Sequence, residues 1–125
     1  MEYHQKSLEI ALDLGHRLTE AASLLNLGNV YSSQELYQEA IEYYQKSLEI
    51  ARDLGHRLRE AASLGNLGNV YYSQGLYQKA TEYYEKSLEI ARDLGHRKQE
   101  NICLKNLRAA EKKLKLEKQI TKNSV

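Results

Sequence analysis

The amino-acid sequence predicts an all-α protein, a solenoid in which helical hairpins follow one another along the chain. The 125 residues include no proline, phenylalanine or tryptophan and are rich in alanine, leucine, glutamate, lysine and glutamine, which favour helix. Residues 7–46 align with residues 47–86, and only eight of the forty pairs differ. A period of this length is typical of solenoids, in which each unit buries its apolar face against its neighbours.

Within each period, apolar residues recur at helical spacing in two stretches, which predicts two amphipathic helices per unit. Gly15, Gly55 and Gly95 each follow Asp-Leu and precede His-Arg, and a glycine in such a place typically ends a helix in a left-handed conformation. Gly75 has the same role inside a unit. We therefore predict six helices, which cover residues 2–14, 17–33, 37–54, 57–73, 77–94 and 97–118.

These helices predict a single array over residues 1–118, followed by a frayed tail at residues 119–125. The array consists of a half repeat at 1–14, repeats at 17–54 and 57–94, and a capping helix at 97–118. The charge distribution supports a distinct cap, because residues 1–96 have nine basic and fourteen acidic side chains whereas residues 97–125 have nine and three. A polar helix suits the exposed end of a solenoid.

A longer motif spans the two helices of each unit. It consists of Leu24, Leu27, Gly28, Tyr31, Tyr37, Ala40, Tyr44 and Leu48, and again of Leu64, Leu67, Gly68, Tyr71, Gly75, Tyr77, Ala80, Tyr84 and Leu88. This pattern resembles the tetratricopeptide repeat, and its forty-residue variant is similar to the repeats of kinesin light chains and of spindle-orientation adaptors with GoLoco motifs. The resemblance implies a non-catalytic scaffold or adaptor that binds other proteins.

Some positions depart from the family pattern. The usual proline after the second helix is absent, and Ser47 and Ser87 stand where alanine is usual. The sixth predicted helix has Arg108 in place of the small glycine and Glu111 in place of tyrosine. These two polar residues support its interpretation as a cap.

The resemblance also implies a concave groove that is lined by the first helix of each pair. The predicted peptide-binding residues are Asn26, Asn29, Asn66, Asn69, Tyr72, Lys105 and Asn106. An asparagine amide both donates and accepts hydrogen bonds, so a row of asparagines is suited to the backbone of an extended peptide. The alternative is that one asparagine of each pair, first of all Asn26 and Asn66, only ties helices together, and repetition does not separate the two interpretations.

The turn inside the first unit suggests a different function, self-assembly. Its residues are Ser33, Gln34, Glu35 and Leu36. Glu35 stands where the second unit has Gly75, and a left-handed glutamate costs about 1 kcal/mol relative to glycine. An alternative to the predicted break between residues 33 and 37 is therefore that residues 17–54 continue as one helix, which would open the hairpin and let two chains exchange halves. The alternative function is a structural unit that forms a homodimer, with a domain swap through this hinge as one form.

The sequence offers no catalytic or metal-binding arrangement. His16, His56 and His96 recur forty residues apart at predicted turns, and helices pack about 10 Å apart whereas zinc needs its nitrogens within about 2 Å. No phosphate-binding loop and no nucleophile with a neighbouring base is evident. We expect no enzymatic activity, no cofactor and no small-molecule substrate.

The remaining features predict a protein partner in the cytoplasm. The basic residues of the cap are distributed around a helix without interleaved aromatic residues, which favours a solvated surface over a nucleic-acid or membrane site. Cys103 is the single cysteine, so no intramolecular disulfide forms. No apolar stretch approaches the roughly 20 residues that span a bilayer. We therefore expect a protein or peptide partner, or a second copy of the chain.

Overall fold

The computed structural model describes the backbone of residues 2–123 and the side chains of residues 9–123, except that of residue 11. Each regular element in this part of the chain is a helix, which confirms the predicted all-α class. The helices are α1 (Glu2–Ser33), α2 (Tyr37–Asp53), α3 (Arg57–Ser73), α4 (Tyr77–Leu94) and α5 (Arg97–Asn123). The chain divides into two compact units, residues 1–56 and residues 57–125.

The first two predicted helices form the single helix α1, so the predicted break at Gly15 is wrong. Gly15 does not have the positive φ of the other three predicted helix-ending glycines. A continuous helix pairs the backbone amides and carbonyls, and a glycine inside it costs only about 1 kcal/mol relative to alanine.

The last helix is longer than predicted. α5 ends at Asn123 rather than at residue 118, so residues 119–123 are helical and are not a frayed tail. The sequence from Arg97 to Asn123 contains no glycine or proline that would end the helix earlier. The bounds of α2, α3 and α4 differ from the predicted ones by at most one residue.

The chain reverses direction at Glu35, which adopts the left-handed conformation with φ of 63°. The Leu36 amide donates a 2.9 Å hydrogen bond to the carbonyl of Tyr31, the usual bond of a left-handed helix end. The predicted helix end at residue 33 and helix start at residue 37 are therefore confirmed, and the alternative of one continuous helix over residues 17–54 is not observed. The first hairpin is closed, with α1 ending at Ser33.

The glycine turns have the same hydrogen bonds. Beside Gly75, whose φ is 79°, the Leu76 amide donates to the carbonyl of Tyr71 at 2.9 Å. Gly55 and Gly95 end α2 and α4 with φ values of 66° and 64°. The prediction that these three glycines end helices in the left-handed conformation is confirmed.

In the first unit, contacts between α1 and α2 stabilise the turn at Glu35. The ring of Tyr31 stacks on that of Tyr43, with the centroids 5.2 Å apart. Gly28 leaves room for the buried ring of Tyr44, because a Cβ at that position would lie 2.5 Å from Cε1 of the ring. An aromatic pair contributes about 0.5–1.5 kcal/mol beyond its buried area. Packing on this scale offsets the left-handed conformation of a glutamate.

In the second unit, α4 packs against both α3 and α5, and α3 also contacts α5. The core of this unit includes Ala61, Leu64, Leu67, Val70, Ala80, Tyr84, Leu88, Ala91, Cys103, Leu107 and Ala110. These are the apolar positions of the repeat together with one face of the cap. The contact of α3 with α5 forms the walls of the site described below.

The two serines that replace the family's alanine have a structural reason. Each is buried, and its hydroxyl group donates a hydrogen bond to a carbonyl of the other helix in its hairpin. Ser47 Oγ donates to Ala21 at 2.8 Å, and Ser87 Oγ donates to Ala61 at 2.7 Å. A buried hydroxyl group is tolerated when it is paired in this way.

Candidate functional site

A cavity of about 180 Å³ opens between α3 and α5. It is lined by Ala62, Gly65, Asn66, Asn69, Tyr84, Gln99, Ile102, Cys103 and Asn106. Its lining combines apolar groups with three of the asparagines predicted to bind a peptide. The geometry therefore combines an apolar recess with amide groups, which is the composition of a ligand pocket.

A second, smaller cavity of about 160 Å³ continues from the first. It is lined by Asn69, Tyr72, Tyr84, Asn106 and Ala109, three of which also line the first cavity. Tyr72 is half-buried and packs edge-on against Tyr77, with the ring centroids 5.2 Å apart. We call the two cavities together the α3–α5 groove.

The floor of the groove is the ring of Tyr84, which the sequence analysis assigned to the core. Its hydroxyl group donates a 2.6 Å hydrogen bond to Oδ1 of Asn69. Burial raises the pKa of Tyr84 well above its usual value of 10, and the nearby Tyr72 and Cys103 raise it further. The phenol is therefore neutral at physiological pH. Its hydrogen bond to Oδ1 sets the orientation of the Asn69 side-chain amide.

The first unit repeats this contact. The Tyr44 hydroxyl group donates a 2.5 Å hydrogen bond to Oδ1 of Asn29. Burial raises the pKa of Tyr44, and a hydrogen bond with Ser32 opposes that shift. Asn29 is otherwise exposed, and so is Asn26. The hairpin-tying interpretation therefore applies to the second asparagine of each pair, Asn29 and Asn69, through their side-chain oxygens.

Gly65 is one of the residues that line the first cavity. A Cβ at this position would lie 3.6 Å from Ser87 Oγ and 3.8 Å from Gln99 Nε2, both ordinary contact distances. Below the opening, Ser87 Oγ lies 3.1 Å from Cys103 Sγ, and Gln99 Nε2 donates to the same sulfur at 3.7 Å. Tyr84, Gln99 and Cys103 were not among the predicted site residues. The one sequence signal was the replacement of Leu25 by Gly65 between the repeats.

With the hairpins and the groove described, the chain can be compared with known proteins. A model of the tetratricopeptide repeat matches residues 2–53 and again residues 19–93, which together are most of the chain. The chain belongs to the tetratricopeptide repeat family. The resemblance inferred from the sequence motif is thereby confirmed, and repeats of this family generally mediate interactions between proteins.

Two solved structures resemble this tetratricopeptide chain. The first is BtubC (BKLC) from P. vanneervenii, with 26% identity, a TM-score of 0.71, and coverage of 90% of this chain and 48% of that chain. The second is a signal transduction ATPase with numerous domains from Pyrococcus horikoshii, which has a tetratricopeptide repeat sensor. It has 28% identity and a TM-score of 0.69, and the match covers 94% of this chain and 20% of that chain. The chain thus spans about half and one fifth of these proteins.

Among curated protein sequences, none matches the chain significantly. The repeats are therefore assigned by the family model and by the two structures.

Lys105 of the tetratricopeptide cap, also predicted to bind a peptide, lies outside the linings of both cavities. It is exposed on α5, next to Asn106 in the sequence. Lys98 and Lys112 lie seven residues before and after it, so the three lysines follow one side of the helix. None of the three has an ion pair with any residue that the structure describes.

Two further observations limit the chemistry of the described residues. Within residues 9–123, apart from residue 11, no cluster of three or more His, Cys, Asp or Glu side chains is arranged to hold a metal ion. No helix in the described part of the chain is long and apolar enough to cross a membrane. The α3–α5 groove is the site that we consider further.

Proposed function

We propose that this tetratricopeptide chain is a non-catalytic scaffold that binds an extended segment of another protein along its asparagine-lined face. The observation that supports this function is the association of Asn66, Asn69 and Asn106 with one apolar groove. Extended peptides need partners for backbone groups and recesses for alternate side chains, and the groove has both. The similar protein from Pyrococcus horikoshii has a tetratricopeptide repeat sensor, which agrees with a recognition role for this chain.

The three asparagines differ in what they offer a peptide. Oδ1 of Asn69 already accepts a hydrogen bond from the Tyr84 hydroxyl group. The Nδ2 group of Asn69 therefore donates to a carbonyl group of the ligand. Asn66 and Asn106 have no hydrogen bond from their side chains to any described residue, and both are half-buried. Their amides therefore both donate and accept. Asn26 and Asn29 are the equivalent asparagines of the first unit.

The experiment begins with a phage-displayed library of random peptides, which is selected on the immobilised chain. An enriched peptide is then synthesised, and its affinity is measured by fluorescence polarisation. The double variant N66A/N106A should bind about five- to 150-fold more weakly, because each lost hydrogen bond contributes roughly 0.5–1.5 kcal/mol. Asn101→Ala is the matched control, since Asn101 is exposed on α5 and lines neither cavity.

The variants should keep their helical circular-dichroism spectrum, because neither Asn66 nor Asn106 supports the fold by a hydrogen bond. Equal affinity of the double variant and the wild type would show that the peptide lies elsewhere. Failure to enrich any peptide would contradict the proposed function itself.

We also propose a cytoplasmic location, since the single cysteine is a free thiol.

One observation favours self-association as a second candidate. Leu27 and Val30 on α1 are 41% and 50% exposed, whereas their repeat equivalents Leu67 and Val70 are fully buried. Exposed apolar residues in a row are typical of an interaction surface. A second copy that covers α1 would give a homodimer with the hairpin at Glu35 closed. Light scattering over a range of concentrations tests this, and a monomer at every concentration would exclude the dimer.

A further inference from the structure

The first part of α1 has nearly the same sequence as the second half of α4. Residues 2–14 align with residues 82–94, and only the pairs at positions 4, 5 and 12 differ. Residues 82–94 belong to α4, which packs against the helix that follows it, α5. Residues 2–14 instead continue into residues 17–33 as one helix. The same sequence therefore packs on the following helix in the second unit and leads away from it in the first.

The face of α1 that corresponds to this contact is exposed. In α5 the buried face has three residues, at intervals of four and three: Cys103, Leu107 and Ala110. Eighty residues earlier, the equivalent positions of α1 are Ser23, Leu27 and Val30. All three of these side chains are exposed. A face that the repeat buries in the second unit is therefore not covered by the described part of the first.

The segment at residues 2–14 also exposes apolar side chains. Ile10 is 61% exposed, whereas its equivalents Ile50 and Ile90 are buried. Leu12 is exposed too, and it replaces an arginine, Arg92, of the second unit. Contact between two exposed apolar surfaces is favourable because it removes both of them from water.

One chain does not bring these two surfaces together while α1 is unbroken. Ile10 and Leu27 are seventeen residues apart on one helix, which is about 25 Å along its axis at roughly 1.5 Å per residue. Gly15, where the chain would need to turn back, lies inside the helix and lacks the positive φ of a turn. The segment that covers Leu27 therefore comes from a second copy of the chain.

The register of the α4–α5 contact gives the geometry of such a pair. Ser87 Oγ lies 3.1 Å from Cys103 Sγ across the two helices. Eighty residues earlier these positions are Ser7 and Ser23, which stand eight residues before and after Gly15. Two antiparallel copies of α1 that cross at Gly15 therefore place residue 7 of each copy against residue 23 of the other. This arrangement is a closed two-fold dimer.

We propose that two copies of this chain pair through α1, with residues 2–14 of each copy on the face of the other that consists of Ser23, Leu27 and Val30. The exchange uses an unbroken helix at Gly15, and the hairpin at Glu35 stays closed. This inference rests on self-association, the second candidate function, and names the segment that makes the contact.

Disulfide trapping tests the contact between copies. Two variants, Ser7→Cys and Ser23→Cys, are prepared separately with Cys103→Ser in both, refolded as a mixture and oxidised with copper phenanthroline. The mixture should give a disulfide-linked dimer on a non-reducing gel, because the atoms at positions 87 and 103 are 3.1 Å apart and a disulfide joins sulfurs about 2 Å apart. Either variant alone should give little linked dimer, since identical positions are about 24 Å apart in the antiparallel pair.

The same cysteines on one chain distinguish exchange from a fold of residues 2–14 back onto their own chain. With Ser7→Cys and Ser23→Cys combined, exchange gives a linked dimer. A turn at Gly15 would give a linked monomer, and the mixture of single variants would then give no dimer. That result would overturn the inference.

Ile10→Glu tests the segment without added cysteines. It should raise the Kd of the dimer at least about tenfold, because a carboxylate group would be buried at both equivalent contacts. The helical circular-dichroism spectrum should not change, since the Ile10 side chain is exposed in the single chain. The control Ile120→Glu places the same charge on an exposed isoleucine of α5 and should dimerise like the wild type. Light scattering over a range of concentrations measures the Kd.

The outcomes separate this inference from the function on which it rests. A wild-type dimer that does not cross-link in the mixture, or whose Kd is unchanged by Ile10→Glu, would overturn the exchange of residues 2–14, and self-association would stand. A wild type that is monomeric at every concentration would overturn both.

Discussion

The hydroxyl group of Tyr84 lies 2.6 Å from Oδ1 of Asn69 and joins α4 to α3 beneath the groove. The ring reaches this place because Gly68 has no side chain, and a Cβ there would lie 2.6 Å from Cε1 of Tyr84. One glycine thus permits the contact that orients an asparagine of the candidate site. The same arrangement occurs in the first unit between Tyr44 and Asn29.

Alanine substitution of two glycines on α3 should change the free energy of unfolding in opposite directions. Gly68→Ala forces the buried ring of Tyr84 to move, so the free energy of unfolding should fall by about 1–3 kcal/mol. Gly65→Ala places its Cβ at ordinary contact distances and should raise the free energy of unfolding by up to about 1 kcal/mol, the difference in helix propensity. Urea unfolding followed by circular dichroism measures both. If the two variants shift stability in the same direction, the close approach at Gly68 is not a constraint.

The buried tyrosine predicts a stability change at alkaline pH. The pKa of Tyr84 is raised in the folded chain, so this group contributes stability that is complete below pH 10 and is lost as the pH rises towards the folded pKa. Tyr84→Phe lacks the hydrogen bond and should be about 1 kcal/mol less stable near pH 8. Above pH 10 the difference should shrink by about 1.4 kcal/mol per pH unit. Urea unfolding at several pH values checks this, and a difference that stays constant would contradict it.

The conformation of the turn at Glu35 predicts that two reciprocal substitutions shift the free energy of unfolding in opposite directions. Glu35→Gly relieves the left-handed glutamate and should raise the free energy of unfolding by about 1 kcal/mol, whereas Gly75→Glu should lower it by a similar amount. Thermal and urea unfolding measure the two shifts.

Light scattering on the same Glu35→Gly protein tests the domain-swap hypothesis. A dimer that opens this hinge should dissociate when glycine favours the turn. A dimer whose mass is unchanged would exclude a swap through Glu35, although a dimer formed through the surface of α1 would remain consistent.

Alanine substitution of equivalent leucines in the two units should lower the free energy of unfolding by unequal amounts. Leu67→Ala removes a fully buried side chain and should cost about 2–5 kcal/mol. Leu27→Ala removes a side chain that is 41% exposed in the single chain, and it should cost less than about half of that. Urea unfolding at low protein concentration provides the comparison. An equally large cost for Leu27 would mean that another molecule covers it in solution, which would support the homodimer.

Much of the fold was predictable because the repeat encodes it locally. Helical spacing and the glycines at 55, 75 and 95 predicted α2, α3 and α4 to within one residue. The helix break at Gly15 was mispredicted, and the alternative of a continuous helix across Glu35 is not observed. A glycine allows a left-handed residue and a glutamate resists one, but each difference is only about 1 kcal/mol. Contacts between packed helices are of this size, as in the stacking of Tyr31 on Tyr43 next to the turn at Glu35.

The candidate site was predictable in part. The family motif pointed to Asn66, Asn69 and Asn106, and these three residues do line one groove. Lys105 lies outside the cavity linings and is exposed on α5. Whether the groove binds a peptide stays a prediction. The roles of the individual asparagines needed coordinates, because only a neighbouring hydroxyl group distinguishes Asn69 from Asn66.

The sequence by itself determined the all-helical class, the repeat, the family and the helix-ending glycines at 55, 75 and 95, because each depends on spacing along one chain. The tertiary structure decided the turn at Glu35, the unbroken helix through Gly15, and the cavity between α3 and α5. That cavity includes Tyr84, Gln99 and Cys103, which come from two other helices. A linear pattern does not specify which side chains meet across helices, and the cavity depends on that.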